Sequence, residues 1–492
     1  METITAKYVN HVHMEIDCDG GTCWELQDYF TFTVPGMQYM PAVRNKFWDG
    51  KIRLFNPQTR RIYRGLLHHV KRFCDERGYN FESEFTDDEF SVAEAKQFAE
   101  GLNLPFEVRD YQLDAFAHAI KKQRALMLSP TASGKSLIIY LIVRYLIQKI
   151  FFAKGDTRAL IIVPTISLVQ QMGGDFKSYG YEKECHLITA GVDKETDQDV
   201  VISTWQSIHK MPKKWFEQFD MIIGDEAHLF KSKSLTSIMT KTITTPYKFG
   251  FTGTLDGTQT HKLVLEGLFG AVEKVTTTSE LIDKGTLSPF NVKCIQLEYP
   301  DEIKKLHKDD KYQDEVDFLV RNESRNRFLR NLALSLNGNT LMLYQFVEKH
   351  GTVLHTEIEN AIKNSIEKDR KVFFVSGQVD GDAREDIRHI VEQEENAIIV
   401  ASFGTFSTGV NIKRLHNIVF CSPSKSRIRV LQSIGRGLRQ GEGKEMATLF
   451  DIADNLAWKS KRNYTLEHFA ERIKMYNEEK FDYKLYKVAL KH

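Results

Sequence analysis

Short apolar runs recur through the middle of the chain, and helical-looking stretches separate them. The first series comprises Ala125 to Leu128, Ala159 to Val163, Val200 to Ser203, Met221 to Gly224 and Tyr247 to Phe251. This alternation predicts βαβ units on a parallel sheet. A second series with the same rhythm follows: Thr340 to Tyr344, Lys371 to Val375, Ala397 to Ser402, Asn417 to Cys421 and Ala447 to Phe450. Two α/β domains in tandem are therefore expected. The turn-forming stretch Gly285-Thr-Leu-Ser-Pro289 lies between them as a linker.

The flanks carry different patterns. Residues 1–95 read as a separate small α+β unit, ahead of α/β domains over 96–285 and 286–455. The last stretch, 456–492, is charged and carries Phe469, Ile473 and Tyr476 at helical spacing. It is predicted to be a helical tail that packs against the second domain, with partner binding as the other reading. No tandem repeat or low-complexity tract interrupts the chain.

Composition narrows this picture by exclusion. A chain of 492 residues exceeds what one hydrophobic core usually supports, which agrees with several domains. With 42% hydrophobic and 27% charged residues it has the makeup of a folding globular protein. Lys and Arg total 67 against 66 Asp and Glu, so any surface that binds a polyanion must be a local concentration of charge. The cysteines Cys18, Cys23, Cys74, Cys185, Cys294 and Cys421 are scattered and read as reduced thiols. Zinc held by Cys18 and Cys23 with His11 and His13 is the alternative, but the spacing matches no metal motif. No signal pattern and no uninterrupted apolar stretch of about 18 residues is present. The expectation is a soluble, cytoplasmic protein without a membrane partner, in the host cytoplasm if the chain is viral.

Two segments of the first α/β series carry chemistry. Ser129-Pro-Thr131-Ala-Ser133-Gly134-Lys135-Ser136 follows a strand and opens an apolar helix. In that context successive backbone N–H groups and a helix N-terminus converge on phosphate oxygens, the arrangement of a P-loop. Thr131, Ser133 and Gly134 belong to the cradle. Lys135 is expected on the β- and γ-phosphates of ATP, and Ser136 on Mg²⁺. Ser129 stands where such loops usually have their first glycine. Further on, a strand ends in Asp225-Glu226-Ala-His228. Adjacent carboxylates at a strand end can divide the work: Asp225 holds Mg²⁺, while Glu226 orients and deprotonates the attacking water.

With that P-loop, Asp225-Glu-Ala-His228 resembles the superfamily 2 helicases of the DEAH kind, and the likeness runs from about Phe106 to Asp454. It implies two RecA-like domains that take ATP and Mg²⁺ and move along nucleic acid. Arg109-Asp-Tyr111-Gln112 resembles the Q motif, whose glutamine reads the adenine edge. Val163-Pro-Thr165 and Ser203-Thr204-Trp-Gln206 resemble the motifs Ia and Ib that touch the nucleic-acid backbone. Thr252-Gly-Thr254 resembles motif III, so that Thr252 and Thr254, with His228, are implied in coupling. Thr408-Gly409-Val-Asn411 resembles motif V, with Thr408 toward nucleic acid and Gly409 toward nucleotide. Asn411 replaces the aspartate of many relatives. Gln432-Ser-Ile-Gly435-Arg436-Gly-Leu-Arg439 resembles motif VI. Guanidinium groups there can stabilise charge on the transferring phosphoryl group, which makes Gln432, Arg436 and Arg439 catalytic candidates.

The basic residues Arg44, Lys46, Lys51, Arg53, Arg60, Arg61, Arg64, Lys71 and Arg72 fall within one stretch whose only acid is Asp49. This local excess predicts a phosphate-attracting face on a nearly neutral chain. Phe47, Trp48, Phe55 and Tyr63 interleave with it, either to stack on bases or to form a small core. Lys46-Phe-Trp-Asp-Gly-Lys-Ile-Arg-Leu54 resembles the N-terminal domain of UvsW-type bacteriophage helicases. So do Leu341 to Val347, Val375-Ser376-Gly377 and Ala401 to Gly409, which add Phe346 and Ser376 to the nucleic-acid candidates. The resemblance implies a monomeric ATP-dependent DNA helicase that unwinds or branch-migrates forked and four-way DNA in recombination, repair or replication. An RNA helicase, a restriction-system translocase subunit and a passive nucleic-acid binding module are the competing readings.

Overall fold

The computed structural model describes residues 2–490 except 366–368, 378–386, 388, 409–411, 413, 423–425 and 439–445. It describes only the backbone of 154, 259–260, 406–408, 427–428 and 436–437. The chain divides into two compact units, one over Met1–Ser129 and Gly134–Thr276, the other over Thr277–His492 with Pro130–Ser133.

The first unit is built on a seven-stranded sheet. Its strand order is Val272–Lys274, Arg124–Leu128, Tyr247–Thr252, Met221–Asp225, Ala159–Val163, Val200–Thr204, His186–Ile188, and all pairings are parallel. The five apolar runs are the five inner strands. Side chains alternate between faces: Ala125, Met127, Ile161, Ile202, Ile223 and Phe249 join one buried cluster, and Leu126, Leu160, Ile162, Val201 and Ile222 another. Burial on both faces is what makes these strands read as unbroken apolar runs. The helix Lys135–Lys154 covers the first face with Ile138, Ile139, Ile142 and Leu146. Among the described residues it is also the one helix long and apolar enough to cross a membrane, but half of that stretch is buried in this domain.

The N-terminal residues form a second, smaller sheet in the order Arg61–Tyr63, His13–Asp17, Thr3–Tyr8, Asn80–Ser83. Its alternating pattern puts Ile4, Ala6, Met14 and Ile16 into a core with Leu26, Phe30, Val70 and Phe73 from two covering helices. Cys18 and Cys23 also lie in that core with their sulfurs 3.4 Å apart. His11 turns instead to Arg64, and His13 stacks on Tyr63, so the structure does not assemble a Cys–His site there.

This small sheet is docked on the first α/β domain. Gly65 meets the helix Gln259–Phe269 so closely that a Cβ would stand 2.0 Å from the Glu266 carbonyl oxygen. His68 and His69 contact the two carboxylate oxygens of Glu266 at 3.3 and 2.9 Å. Burial pushes the Glu266 carboxyl up, but the two imidazoles outweigh it and hold it down at about 2.

The second unit carries another all-parallel sheet. The order is Val372–Val375, Ile398–Ser402, Thr340–Tyr344, Asn417–Phe420, Ala447–Asn455, Phe290–Glu298, Tyr483–Ala489. The tail differs from the all-helical expectation. Its helix Tyr464–Glu478 packs on the sheet as predicted, but Tyr483–Ala489 then adds an edge strand beside Phe290–Glu298. Lys484 and Lys487 on that mostly exposed strand break up its apolar pattern, as charged residues commonly do at sheet edges. Two buried aspartates on Ala447–Asn455 anchor the surroundings. Asp451 receives Arg472 at 2.8 Å and the Tyr476 hydroxyl at 2.7 Å, and Asp454 receives two nitrogens of Arg325 at 2.8 and 3.0 Å.

Two stability measurements follow. Gly65→Ala is expected to cost on the order of 1–3 kcal/mol, read as a lowered denaturation midpoint, because the added methyl meets backbone. Glu266 has a folded-state pKa of about 2 against an ordinary 4.5, so its contribution is present above pH 4.5 and lost as pH falls toward 2. Glu266→Gln should therefore flatten that part of the acid-denaturation curve.

Candidate active site

The parallel sheet places the C-terminal ends of its strands on one edge, and three neighbouring strands supply the site. Arg124–Leu128 leads into the loop at Ser129, Tyr247–Thr252 lies beside it, and Met221–Asp225 is next. The Ser129 N–H donates to the Thr252 carbonyl at 2.8 Å, tying the loop to the adjacent strand. Ser129 is fully buried, so the usual glycine position accommodates its side chain. The Ser133 hydroxyl donates to the Pro130 carbonyl at 2.6 Å, and Ala132 takes the left-handed conformation with φ of 67°.

Gly134 closes the loop at the start of the helix Lys135–Lys154. Its φ is +80°, and a Cβ there would stand 2.3 Å from the Gln112 Nε2. Gln112 is buried, and its Oε1 accepts from the Arg109 N–H at 3.0 Å, which fixes the start of the helix Asp110–Lys122. The Arg109 guanidinium donates to the Tyr111 hydroxyl at 3.0 Å. Gln112 is thus packed against the loop, and Arg109 and Tyr111 lie beside it at the start of the helix.

The Lys135 ammonium lies 3.4 Å from Glu226 Oε1 and 3.7 Å from Asp225 Oδ1. Asp225 Oδ1 also accepts from the Glu226 N–H at 2.9 Å. Glu226 adopts φ of 50° and ψ of 50°, a conformation costly for a side chain of this type and frequent at functional turns. His228 Nδ1 is 2.9 Å from Thr252 Oγ1 and 3.3 Å from Glu226 Oε2. Because the Thr252 hydroxyl donates to the Thr254 carbonyl at 2.9 Å, it accepts from His228, whose proton is then on Nδ1. Burial raises the Asp225 carboxyl above its ordinary value despite Lys135. Burial also acts on Glu226, but Lys135 and His228 together hold it at about 2. Glu226 is therefore ionised at neutral pH.

The Ser136 hydroxyl is 2.8 Å from that of Tyr179, a half-buried residue that no sequence pattern pointed to. Ser136 and Asp225 offer hard oxygen donors of the kind Mg²⁺ takes, and Lys135 a point charge for phosphate. The loop, the carboxylates and the His228–Thr252–Thr254 chain are thus brought together as the motifs suggested.

The other predicted positions divide. Thr165 caps the helix Ile166–Ser178 by accepting from the Leu168 N–H. Ser203 and Thr204 are buried, with Ser203 donating to the Thr204 carbonyl and Thr204 paired with Ser207. Ser376 is buried and Phe346 half-buried. Gln432 lies on the helix Arg427–Gly437, one turn before Arg436, whose side chain lies outside the description, as does that of Thr408. Gly409, Asn411 and Arg439 fall outside the described residues.

In the N-terminal region, Arg44 on the helix Pro41–Arg44, Lys46, Lys51 on the two-stranded ribbon Thr31–Thr33 with Lys51–Arg53, and Arg61 on the small sheet are exposed without an ion-pair partner among the described residues. Arg53 instead pairs with Asp49 at 2.5 Å, and Arg60 with Asp17 at 3.2 Å. The aromatics split: Phe47 is 85% exposed, Trp48 donates to the Lys51 carbonyl at 3.0 Å, and Phe55 is core.

Comparison with known proteins finds matches to the N-terminal region and to the first α/β domain. Residues 3–84 match a family model described as DNA helicase UvsW, N-terminal, and 105–257 one described as type III restriction enzyme, res subunit. The ATP-dependent DNA helicase uvsW of Enterobacteria phage T4 is 35% identical over 505 residues, covering 97% of this chain and 98% of that protein. The crystal structure of T4 UvsW superposes with a TM-score of 0.50 at 33% identity, over 99% of this chain and 100% of its own. The DNA 3'-5' translocase XPB2 of Sulfurisphaera tokodaii is 24% identical, over 75% of this chain and 86% of its own.

Gly134→Ala tests the loop geometry. It should weaken ATP binding at least about tenfold in a nucleotide titration, since both φ and the Gln112 amide oppose a methyl group.

Proposed function

This chain belongs to the UvsW family of superfamily 2 helicases, and from that premise we propose that its motor remodels forked and branched DNA. It is an ATP-dependent helicase, and nucleic acid is its substrate. The observation that carries the site assignment is the Lys135 ammonium held between Asp225 and Glu226 at the mouth of the glycine loop.

In this reading the backbone of Thr131, Ser133 and Gly134 cradles phosphates, and Gly409 of the motif V segment serves the nucleotide. Lys135 turns to the β- and γ-phosphates, and Arg109, Tyr111 and Gln112 read the adenine side. Ser136 and Asp225 would hold Mg²⁺, which supplies positive charge to the phosphate oxygens when bound. Glu226 aligns the attacking water by accepting its hydrogen bond. A carboxylate at about 2 orients well but takes the proton only as phosphoryl transfer proceeds. Gln432, Arg436 and Arg439 serve the transferring phosphoryl group, and His228, Thr252 and Thr254 relay its loss.

The exposed charges of Arg44, Lys46, Lys51 and Arg61 support a DNA-gripping N-terminal region, with Trp48 and the paired Arg53 and Arg60 beside them. Thr165, Ser203, Thr204, Phe346, Ser376 and Thr408 belong to the strand path. At Ser203 and Ser376 the backbone is the group available, because their side chains are buried. We take the functional domains as 1–95, 96–285 and 286–455 with the tail 456–492, acting as a cytoplasmic monomer.

Lys135→Ala and Glu226→Gln should each lower ATP turnover by a factor on the order of 10²–10⁴ while DNA still binds; unchanged turnover sinks the site assignment. Unwinding assayed on 3'-tailed, 5'-tailed, forked and four-way DNA, with an RNA duplex beside them, should be strongest on the branched DNAs. A preference for the RNA duplex, or translocation on duplex DNA without unwinding, would favour the competing readings. Lys51→Glu and Arg61→Glu should each weaken DNA binding and reduce the salt slope by about one, whereas Arg53→Glu should do less.

A further inference from the structure

Strand Arg124–Leu128 has the glycine loop at one end and a group of buried cations at the other, about 15 Å away. Arg124 pairs in register with Lys248 on the neighbouring strand, and both side chains are buried. From the N-terminal sheet, His11 and Arg64 close over them. Arg124 Nη2 donates to the His11 carbonyl at 2.9 Å, and Arg64 Nη1 lies 3.0 Å from His11 Nδ1. A guanidinium only donates, so His11 accepts through Nδ1 and is neutral. Lys248 donates to the Thr242 carbonyl and hydroxyl at 2.9 and 2.7 Å. Arg64 lies over the Phe85 ring.

The group contains no acid. Among the described residues, Arg64, Arg124 and Lys248 have no carboxylate partner, and Glu84, the neighbour of Phe85 on the chain, accepts instead from the Tyr8 N–H at 2.7 Å. Arg124 Nε and Nη1 are shut off from solvent and have no hydrogen-bond partner. Burial and mutual repulsion push Arg124 and Lys248 well below their ordinary values and His11 down to about 4. Lysine and histidine can shed their charge when buried, but arginine cannot. A buried guanidinium with two idle donors among like charges calls for an anion.

We propose that Arg124, with Arg64 and Lys248, forms an anion site that takes a small inorganic oxyanion of the phosphate or sulfate class and ties the N-terminal sheet to the first α/β domain. Arg64 and His11 belong to one side of that junction, Arg124 and Lys248 to the other. Because the idle Arg124 donors are shut off from solvent, the occupant is assigned as a free ion and not as a phosphodiester of DNA bound at the surface. The site is separate from the ATP site and does not depend on the functional reading above.

The test uses the full chain carrying Lys135→Ala, which removes phosphate binding at the glycine loop. Inorganic phosphate, titrated at constant ionic strength, should raise its melting temperature saturably, on the order of 2 °C. Adding Arg124→Met, or Arg64→Met should the first variant fail to fold, should abolish the saturable rise. Crystals soaked in selenate should show an anomalous peak within hydrogen-bonding reach of Arg124 Nε or Nη1. An equal rise in all variants with no such peak reflects general salt stabilisation and overturns the proposal. A short blunt DNA duplex that gives an Arg124-dependent rise where inorganic phosphate gives none overturns the free-ion assignment.

Discussion

One lysine between two carboxylates organises the first unit. Lys135, Asp225 and Glu226 meet because a parallel sheet delivers all its strand ends to one edge, and the strands that carry them lie next but one in that sheet. The strand between them contributes Thr252, which receives Ser129 from the loop and His228 from the acidic turn. The same cation has opposite net outcomes on its two partners. At Asp225 burial prevails and the carboxyl is raised; at Glu226 a second donor, His228, tips the balance and the carboxyl is lowered. Neighbouring acids of the same chemistry are thereby made unequal.

What the sequence disclosed follows the same physics. The inner strands are buried on both faces, so their apolar runs were legible, and so was the loop, despite Ser129. The strands it concealed lie toward the sheet margins or carry mixed residues. His186–Ile188 and Val272–Lys274 are three-residue edges, Phe290–Glu298 alternates Lys293 and Gln296 with buried Cys294 and Leu297, and Tyr483–Ala489 is lysine-bearing and mostly exposed. Tyr179 was invisible because its contact with Ser136 depends on where one helix ends. The basic stretch was legible as charge but not as pairing: Asp17 and Asp49 neutralise two of its arginines, one from a distant strand. The aromatics there could not be sorted by composition, since Phe47 is exposed and Phe55 is core although both stand among the same basic residues.

The N-terminal sheet is joined to the helix that follows the Thr252-Gly-Thr254 segment, and that placement has mechanical content. From Glu226 the connection passes through His228 to Thr252 and Thr254 by hydrogen bonds of 2.9 Å. The next turn is pinned by Asp256, which accepts from Lys231, from Thr258 and from His261, and is held well below the usual carboxylate range. The helix Gln259–Phe269 begins there and in its last turn presents Glu266 and Gly267 to Gly65, His68 and His69. Each step is a short hydrogen bond, a backbone contact or a rigid helix.

That continuity runs from the carboxylates to the N-terminal sheet. Lys135 and His228 are the neighbours that hold Glu226 down. His228 cannot shift without disturbing Thr252, because the hydroxyl it binds is committed to the Thr254 carbonyl. The helix Gln259–Phe269 is clamped near its far end by two histidines on one carboxylate and by a glycine with no space for a methyl group. The tight contact at Gly65 thus has the same status as the glycine loop: each lets backbone approach where a side chain would hold it apart, and between them lies a continuous path from the carboxylates to the N-terminal sheet.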